Sequence, residues 1–299
     1  MLKIDACPVC GGGRLKKVMD CVDRQVTGEK FALCRCLDCG FMLTRNAPVE
    51  EEIGRYYDSP SYIPHSDTNR GIMGRAYHLV RRIMLMRKGV LVKRCCHLSR
   101  GSLLDIGTGT GYFPDYMHRI GWTVNATEKS AQARQFAAER FGLDVMPPDA
   151  VFLKKEEEYD AITMWHVTEH LERLDRTWYQ AYKSLKKNGV LIVAVPNPSG
   201  LDAGVYGKDW AAYDVPRHLW HFTPSAMQRY GAKHGFVLAE RHTMPFDAFY
   251  VSMLTEKQLH HFMPILRGFI VGLQGWAASL VKKDKSSSMT YVFRKKTTQ

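Results

Sequence analysis

Leu103-Leu-Asp-Ile-Gly-Thr-Gly-Thr-Gly111 is an apolar run that breaks into three alternate glycines, and Tyr112 directly behind it opens a helical pattern. A strand that turns into a helix within so few residues needs backbone conformations that only glycine adopts freely. Glycine also lets a ligand approach the main chain above the positive end of the helix. Asp105 stands two residues before the first glycine, and Glu128 follows a second apolar run at 122–127. A carboxylate at the end of a second strand can accept hydrogen bonds from both hydroxyls of a ribose. Two rival nucleotide loops fail on single positions. A dinucleotide fingerprint needs glycine where Tyr112 stands, and a P-loop needs a Gly-Lys-Ser/Thr ending that is absent here.

Outward from this loop the pattern alternates. Strands are predicted over 102–107, 122–127, 144–147, 159–165, 190–195, 236–241 and 290–294. Helices are predicted over 112–120, 131–141 and 172–187, with another opened by Thr223-Pro224 and ended by Gly235. The run 190–195 is apolar without alternation, as in a strand buried on both faces. Strands alternating with helices imply an α/β fold with a doubly wound parallel sheet.

The successive segments are Asp105-Ile-Gly-Thr-Gly-Thr-Gly111, Glu128, Tyr159-Asp-Ala-Ile-Thr-Met-Trp-His-Val-Thr-Glu-His-Leu171 and Leu185-Lys-Lys-Asn-Gly-Val-Leu-Ile-Val-Ala-Val-Pro-Asn197. Together they resemble, in order and spacing, the motifs of class I S-adenosylmethionine-dependent methyltransferases. The resemblance implies a seven-stranded Rossmann-like sheet whose last strand runs antiparallel. It implies that Gly107, Thr108, Gly109 and Gly111 pass along the methionine part of S-adenosylmethionine, with Asp105 beneath its amino group. Glu128 would take the ribose, Asp149 would lie near the adenine, and Trp165 would flank the cofactor.

Six of the eight cysteines fall in the first 39 residues. Cys7-Pro-Val-Cys10-Gly and Cys36-Leu-Asp-Cys39-Gly are two knuckles whose four thiolates can close a tetrahedral, structural Zn²⁺ site, with Cys21 or Cys34 as possible substitutes. Residues 1–42 are therefore expected to form a zinc-ribbon-like module, similar to the one ahead of some sugar C-methyltransferases. A connector and a basic helical cap follow over 43–100, then the methyltransferase domain over 101–299 with a helical insertion at 251–288. From Arg70 to Arg100 there are nine Lys/Arg and no acid, and Ile72, Ala76, Leu79, Ile83, Met86 and Val90 recur at helical spacing.

The formal charge of +12 favours an anionic partner. The first residues lack a secretory pattern, and paired thiols suit a reducing compartment, so a cytoplasmic location is expected. No transmembrane segment is expected, because proline, arginine, glutamine and three glycines interrupt the longest apolar stretch, 262–281.

Methyl transfer requires an aligned and often deprotonated acceptor. His166, with His170 four residues on, is one candidate base. Asp214-Val-Pro-Arg217-His218-Leu-Trp-His221 is a second cluster, in which Arg217 could hold an anionic group and His218 or His221 could take a proton. In the insertion, Ile265, Phe269, Leu273, Trp276 and Leu280 form a stripe expected to be a lid packed on the core or lining a substrate pocket, with peripheral membrane docking as the alternative. The expected function is methylation of a small-molecule or lipid-linked glycan acceptor. The rivals are an RNA methyltransferase, which would make nucleic acid the partner, and a non-catalytic cofactor-binding scaffold.

Overall fold

The computed structural model of the chain describes residues 1–57 and 72–296, with side chains from residue 78 onward in the first long helix. Residues 58–71 of the expected connector and cap, Arg70 among them, and the side chains of Ile72 and Ala76 lie outside the described residues. The chain divides into two compact units. One comprises 1–62, 168–174 and 194–291, and the other 63–167, 175–193 and 292–299.

The first unit begins with three strands, β1 (Leu15–Val22), β2 (Lys30–Cys36) and β3 (Met42–Arg45), paired antiparallel in sequence order. The second begins with α1 (Ile72–Cys96), followed by β4 (Ser102–Ile106), α2 (Tyr112–Arg119), β5 (Thr123–Thr127), α3 (Ala131–Phe141) and β6 (Val145–Met146). Then come β7 (Tyr159–Trp165), α4 (Leu174–Ser184) and β8 (Leu185–Pro196). The remaining elements are α5 (Leu201–Tyr206), β9 (Trp220–His221), α6 (Pro224–Lys233), β10 (Phe236–Thr243), α7 (Asp247–Gln258), α8 (Pro264–Val281) and β11 (Ser288–Lys295).

Seven strands form a mixed sheet in the order β10-β11-β8-β7-β4-β5-β6, the architecture of Rossmann-like methyltransferases. β4 lies between β5 and β7, parallel to both, with Ile106 opposite Thr127 and Met164. Residues 190–195 of β8 have no exposed surface, so this strand is buried on both faces.

Two elements differ from the sequence reading. The helix expected to run to Lys187 ends at Ser184, and β8 begins at Leu185. Gly189 is not a left-handed cap but a strand residue, and a Cβ there would meet Leu185 Cγ at 2.7 Å and the Tyr159 carbonyl at 3.0 Å. In α1 the described part of the predicted stripe is largely exposed, Leu79 and Val90 at 59% and 62%, with Ile83 half-buried. The helix instead buries Val92 and Cys95 against Leu103, Phe113, Met117 and Trp122. Gly89 sets that face, because a Cβ there would fall 2.5 Å from the Tyr116 ring, and only a bare backbone allows α1 so close to α2.

The boundary expected near residue 42 falls inside a sheet. β3 pairs with β9, Met42 opposite His221 and Leu43 opposite Trp220, giving a four-stranded sheet β1-β2-β3-β9. Each cysteine knuckle closes on a left-handed glycine, Gly11 at φ 76° and Gly40 at φ 77°, whose N–H donates to the carbonyl of Cys7 or Cys36 at 2.8 Å. The sulfurs of Cys7 and Cys39 are 3.5 Å apart and those of Cys10 and Cys36 3.6 Å, and all four lie within 4.8 Å of one another. Four thiolates at Zn–S distances of about 2.3 Å stand roughly 3.8 Å apart, so the set fits a tetrahedral Zn²⁺. Cys34 and Cys21 stand outside the set, and Cys21 is buried in an apolar cluster with Phe31 and Leu33 that pushes its thiol up to about 12. Cys36→Ser should therefore remove one equivalent of zinc per chain and lower the melting temperature by roughly 10 °C. A variant that retains its full zinc content in metal analysis would exclude the ribbon as the metal's holder.

Candidate active site

In the second unit, β4 passes into α2 through three left-handed residues, Gly107 at φ 70°, Gly109 at φ 59° and Gly111 at φ 84°. The end of β5 holds this turn. The N–H groups of Gly107 and Thr108 both donate to the Thr127 carbonyl, at 2.7 and 3.0 Å. One residue on, the Glu128 carboxylate accepts the Gly109 N–H at 2.8 Å on one oxygen and the Ser130 N–H at 2.9 Å on the other. Each oxygen keeps a second lone pair, so Glu128 can still accept from a ribose.

The two inner glycines are required for different reasons. A Cβ on Gly107 would collide with Val167 at 2.4 Å, whereas the space around Gly109 is open and its backbone angle alone demands glycine. Asp105 is fully buried, and Thr163 donates to it at 2.5 Å. Burial pushes its carboxyl up to about 6, against the Thr163 hydrogen bond. An ammonium group above it would offset that cost. Trp165 is half-buried, its indole N–H has no hydrogen-bond partner among the described residues, and Phe113 meets its ring edge-on at 5.6 Å. Lys88 of α1 stands 4.4 Å over the same ring. The basic run around Lys88 was visible in the sequence, but nothing in it singled out this lysine. Asp149 is exposed in the short 3₁₀ helix Pro148–Leu153. An open glycine cradle, an oriented acceptor pair and a buried carboxylate suit an amino-acid-bearing nucleoside such as S-adenosylmethionine.

His166, directly after β7, is half-buried and holds a left-handed backbone at φ 58°. A non-glycine residue held there costs on the order of 1 kcal/mol or more, a strain found most often at functional positions.

The second histidine group belongs to the first unit. Arg217 does not face an acceptor, as the sequence suggested; the protein's own carboxylates engage it. Its Nε donates to both Asp214 oxygens at 3.0 and 3.1 Å, and Nη2 donates to Asp23 at 2.9 Å and to Asp214 at 2.6 Å. Nη1 donates to the Tyr56 carbonyl at 2.7 Å, and the whole side chain is buried. Asp23 in turn accepts the N–H groups of Gln25, Val26 and Thr27. Arg217 thus ties the β1–β2 turn to the loop ahead of β9 and leaves little donor capacity for a ligand.

His221 is also structural. The single hydroxyl hydrogen of Thr44 goes to the His218 carbonyl at 2.6 Å, so its oxygen accepts the His221 Nε2–H at 3.0 Å. Burial, with the nearby His218 ring, lowers the His221 imidazole to about 3, too weak a base for neutral pH. His170 Nδ1 donates to the Arg217 carbonyl at 3.0 Å and His218 Nδ1 to the Ala212 carbonyl at 2.9 Å. Both rings are thereby fixed as the tautomer whose Nε2 carries the lone pair. The two ring centroids are 4.5 Å apart, and with a carboxylate oxygen of Glu169 the donor atoms lie within 4.8 Å of one another. Two imidazoles and a carboxylate form a donor set able to hold a divalent cation. Glu169 and His170 were legible only as part of a motif, because their partner His218 lies 48 residues further on from His170.

Residues 81–241, more than half of the chain, match the family described as "Methyltransferase domain". The chain belongs to the class I S-adenosylmethionine-dependent methyltransferases. A stretch of 100 residues is 31% identical to the ubiquinone biosynthesis O-methyltransferase of Pelagibacter ubique (strain HTCC1062), covering 32% of this chain and 42% of that protein's length. Among solved structures, a Galdieria sulphuraria protein described as a sarcosine dimethylglycine methyltransferase aligns with TM-score 0.51 and 15% identity. The alignment covers 74% of this chain and 88% of that one. Phosphoethanolamine N-methyltransferase 2 of Haemonchus contortus, in complex with S-adenosyl-L-methionine, aligns with TM-score 0.50 and 18% identity, covering 71% and 53%. Both likenesses show the shared fold.

The buried carboxyl of Asp105 also bears on stability. It titrates near 6 in the folded state against an ordinary 3.8, so the buried charge costs stability above pH 6, and the cost fades as pH falls toward 4. Asp105→Asn should stabilise the free protein by on the order of 2 kcal/mol at pH 8, lose that advantage near pH 4, and bind S-adenosylmethionine at least ~10-fold more weakly. Thermal melts across pH, paired with calorimetric titration, test this. A variant with unchanged affinity and no pH-dependent gain would contradict the assigned role.

Proposed function

We propose that this methyltransferase transfers the methyl group of S-adenosylmethionine to a hydroxyl of a small-molecule or lipid-linked glycan acceptor, with His166 as the general base. Bound S-adenosylmethionine supplies a methyl group on a sulfonium, open to in-line displacement. Asp105, the Gly107–Gly111 turn and Glu128 hold and orient the cofactor. His166 accepts the hydroxyl proton on an imidazole nitrogen as the acceptor oxygen attacks.

The observation that carries this reading is the strained backbone of His166, at φ 58°, immediately after Trp165. His97 and His260 share this backbone angle, so it is the place of His166 at the end of β7, directly after the half-buried Trp165, that sets it apart. A small acceptor is supported by the Pelagibacter relative, whose name assigns it O-methyl transfer in ubiquinone biosynthesis. A glycan is supported by the ribbon's resemblance to the module ahead of some sugar C-methyltransferases, and an anionic acceptor by the net charge of +12.

Incubating cell extracts with cofactor labelled on its methyl group, with polar and lipid fractions kept apart, should place the label in one acceptor fraction. With that acceptor, His166→Ala should lower kcat by about 100-fold and leave S-adenosylmethionine affinity within about twofold. Undiminished turnover in this variant would rule out His166 as the base.

A further inference from the structure

Within the first unit, α7 and α8 form a hairpin in which α8 packs through its smallest residues. Gly268, Gly272, Gly275 and Ser279 are the buried residues of the helix and recur at spacings of four, three and four. A Cβ on Gly268 would fall 2.4 Å from Met253 Cα, and one on Gly272 2.6 Å from Phe249 Cα. The two backbones therefore touch as only glycine permits.

The large apolar residues are left largely in the open, although Phe269 also meets the Phe249 ring of α7 at 5.3 Å. Ile265, Phe269, Leu273 and Leu280 are 61%, 50%, 44% and 67% exposed, and Phe262 in the turn ahead of them is 85% exposed. The expected lid packed on a core is therefore not what this stripe forms. Folding in water alone buries large apolar side chains and leaves small or polar ones outside; α8 sorts them the opposite way.

Charge identifies the occupant. Between residues 256 and 285 stand Lys257, Arg267, Lys282, Lys283 and Lys285 against Glu256, which pairs Arg267 at 3.0 Å, and Asp284, which Arg241 pairs at 2.9 Å. An apolar helix face with flanking lysines matches the boundary of a bilayer whose headgroups are anionic. A second copy of the chain fits poorly, since a two-fold contact through this face would set one basic surface against another. Arg267, paired with Glu256 at 3.0 Å, anchors the helix flank to the protein, which suits a helix lying on the membrane rather than crossing it.

We propose that the α7–α8 hairpin docks this enzyme on anionic membranes, with the Ile265–Leu280 face of α8 buried at the headgroup–acyl boundary. The proposal is independent of the acceptor's identity, and its test reads lipid binding alone. The full-length protein should co-sediment with vesicles of phosphatidylcholine containing 30% phosphatidylglycerol, bind pure phosphatidylcholine at least ~10-fold more weakly, and release with added salt. The double variant Ile265→Glu/Leu280→Glu alters two exposed positions and should keep S-adenosylmethionine affinity and the melting temperature while losing at least ~10-fold in vesicle binding. The proposal is overturned if the native protein ignores anionic vesicles, or if the double variant binds them equally well. It is also overturned if the double variant merely converts a dimer to a monomer without any change in lipid binding.

Discussion

The grip of the Glu128 carboxylate on the Gly109 N–H fixes the shape of the glycine loop between β4 and α2. Three left-handed glycines in five residues are an entropically costly arrangement that does not hold itself. It is held because β4 and β5 are parallel neighbours in register, Ile106 opposite Thr127. That register brings the Thr127 carbonyl to two amides of the loop and the Glu128 side chain to a third. One carboxylate thus shapes the loop and remains able to accept from a ribose. The sheet bears the cost of preorganisation before any ligand arrives, which is the condition for binding energy to act on the transferring methyl group.

A second constraint governs the loop ahead of β9. Its charged residues serve the protein itself. Arg217 lies between Asp23 and Asp214, and removing one partner from so buried a network leaves an uncompensated charge costing about 3–5 kcal/mol. That network, together with the β3–β9 pairing, makes the cysteine-bearing strands and the histidine loop parts of one structure. His170 and His218 are consequently held beside Glu169 with their tautomers defined by backbone carbonyls. Zinc held by Cys7, Cys10, Cys36 and Cys39 would contribute in the same way, by closing the two knuckles from which β1 starts and into which β2 runs.

Most of the sheet was legible because its signals are local. β7 and α3 occupy the predicted residues 159–165 and 131–141, and β4 and β5 differ from expectation by a residue each. The glycine loop was legible because each position in it obeys a backbone rule. What was not legible depends on distant partners. β9 is only two residues long and is a strand solely because β3 lies beside it. Arg217 looked like an anion holder because a guanidinium in a polar loop gives no sign that Asp23, 194 residues away in sequence, already occupies it. The helix stripes misled for a related reason. Periodicity shows that a helix has an apolar face but not where that face points, and in α1 and α8 a close glycine contact chose the opposite side.

The central claim is that the loop latched by Glu128 is the S-adenosylmethionine site. Its most direct measurement is calorimetric titration of S-adenosylmethionine into the native protein and into Glu128→Ala. Binding should be one to one at micromolar affinity in the native protein, and at least ~10-fold weaker in a variant whose circular dichroism is unchanged. No binding by the native protein, or equal affinity in the two, would contradict it.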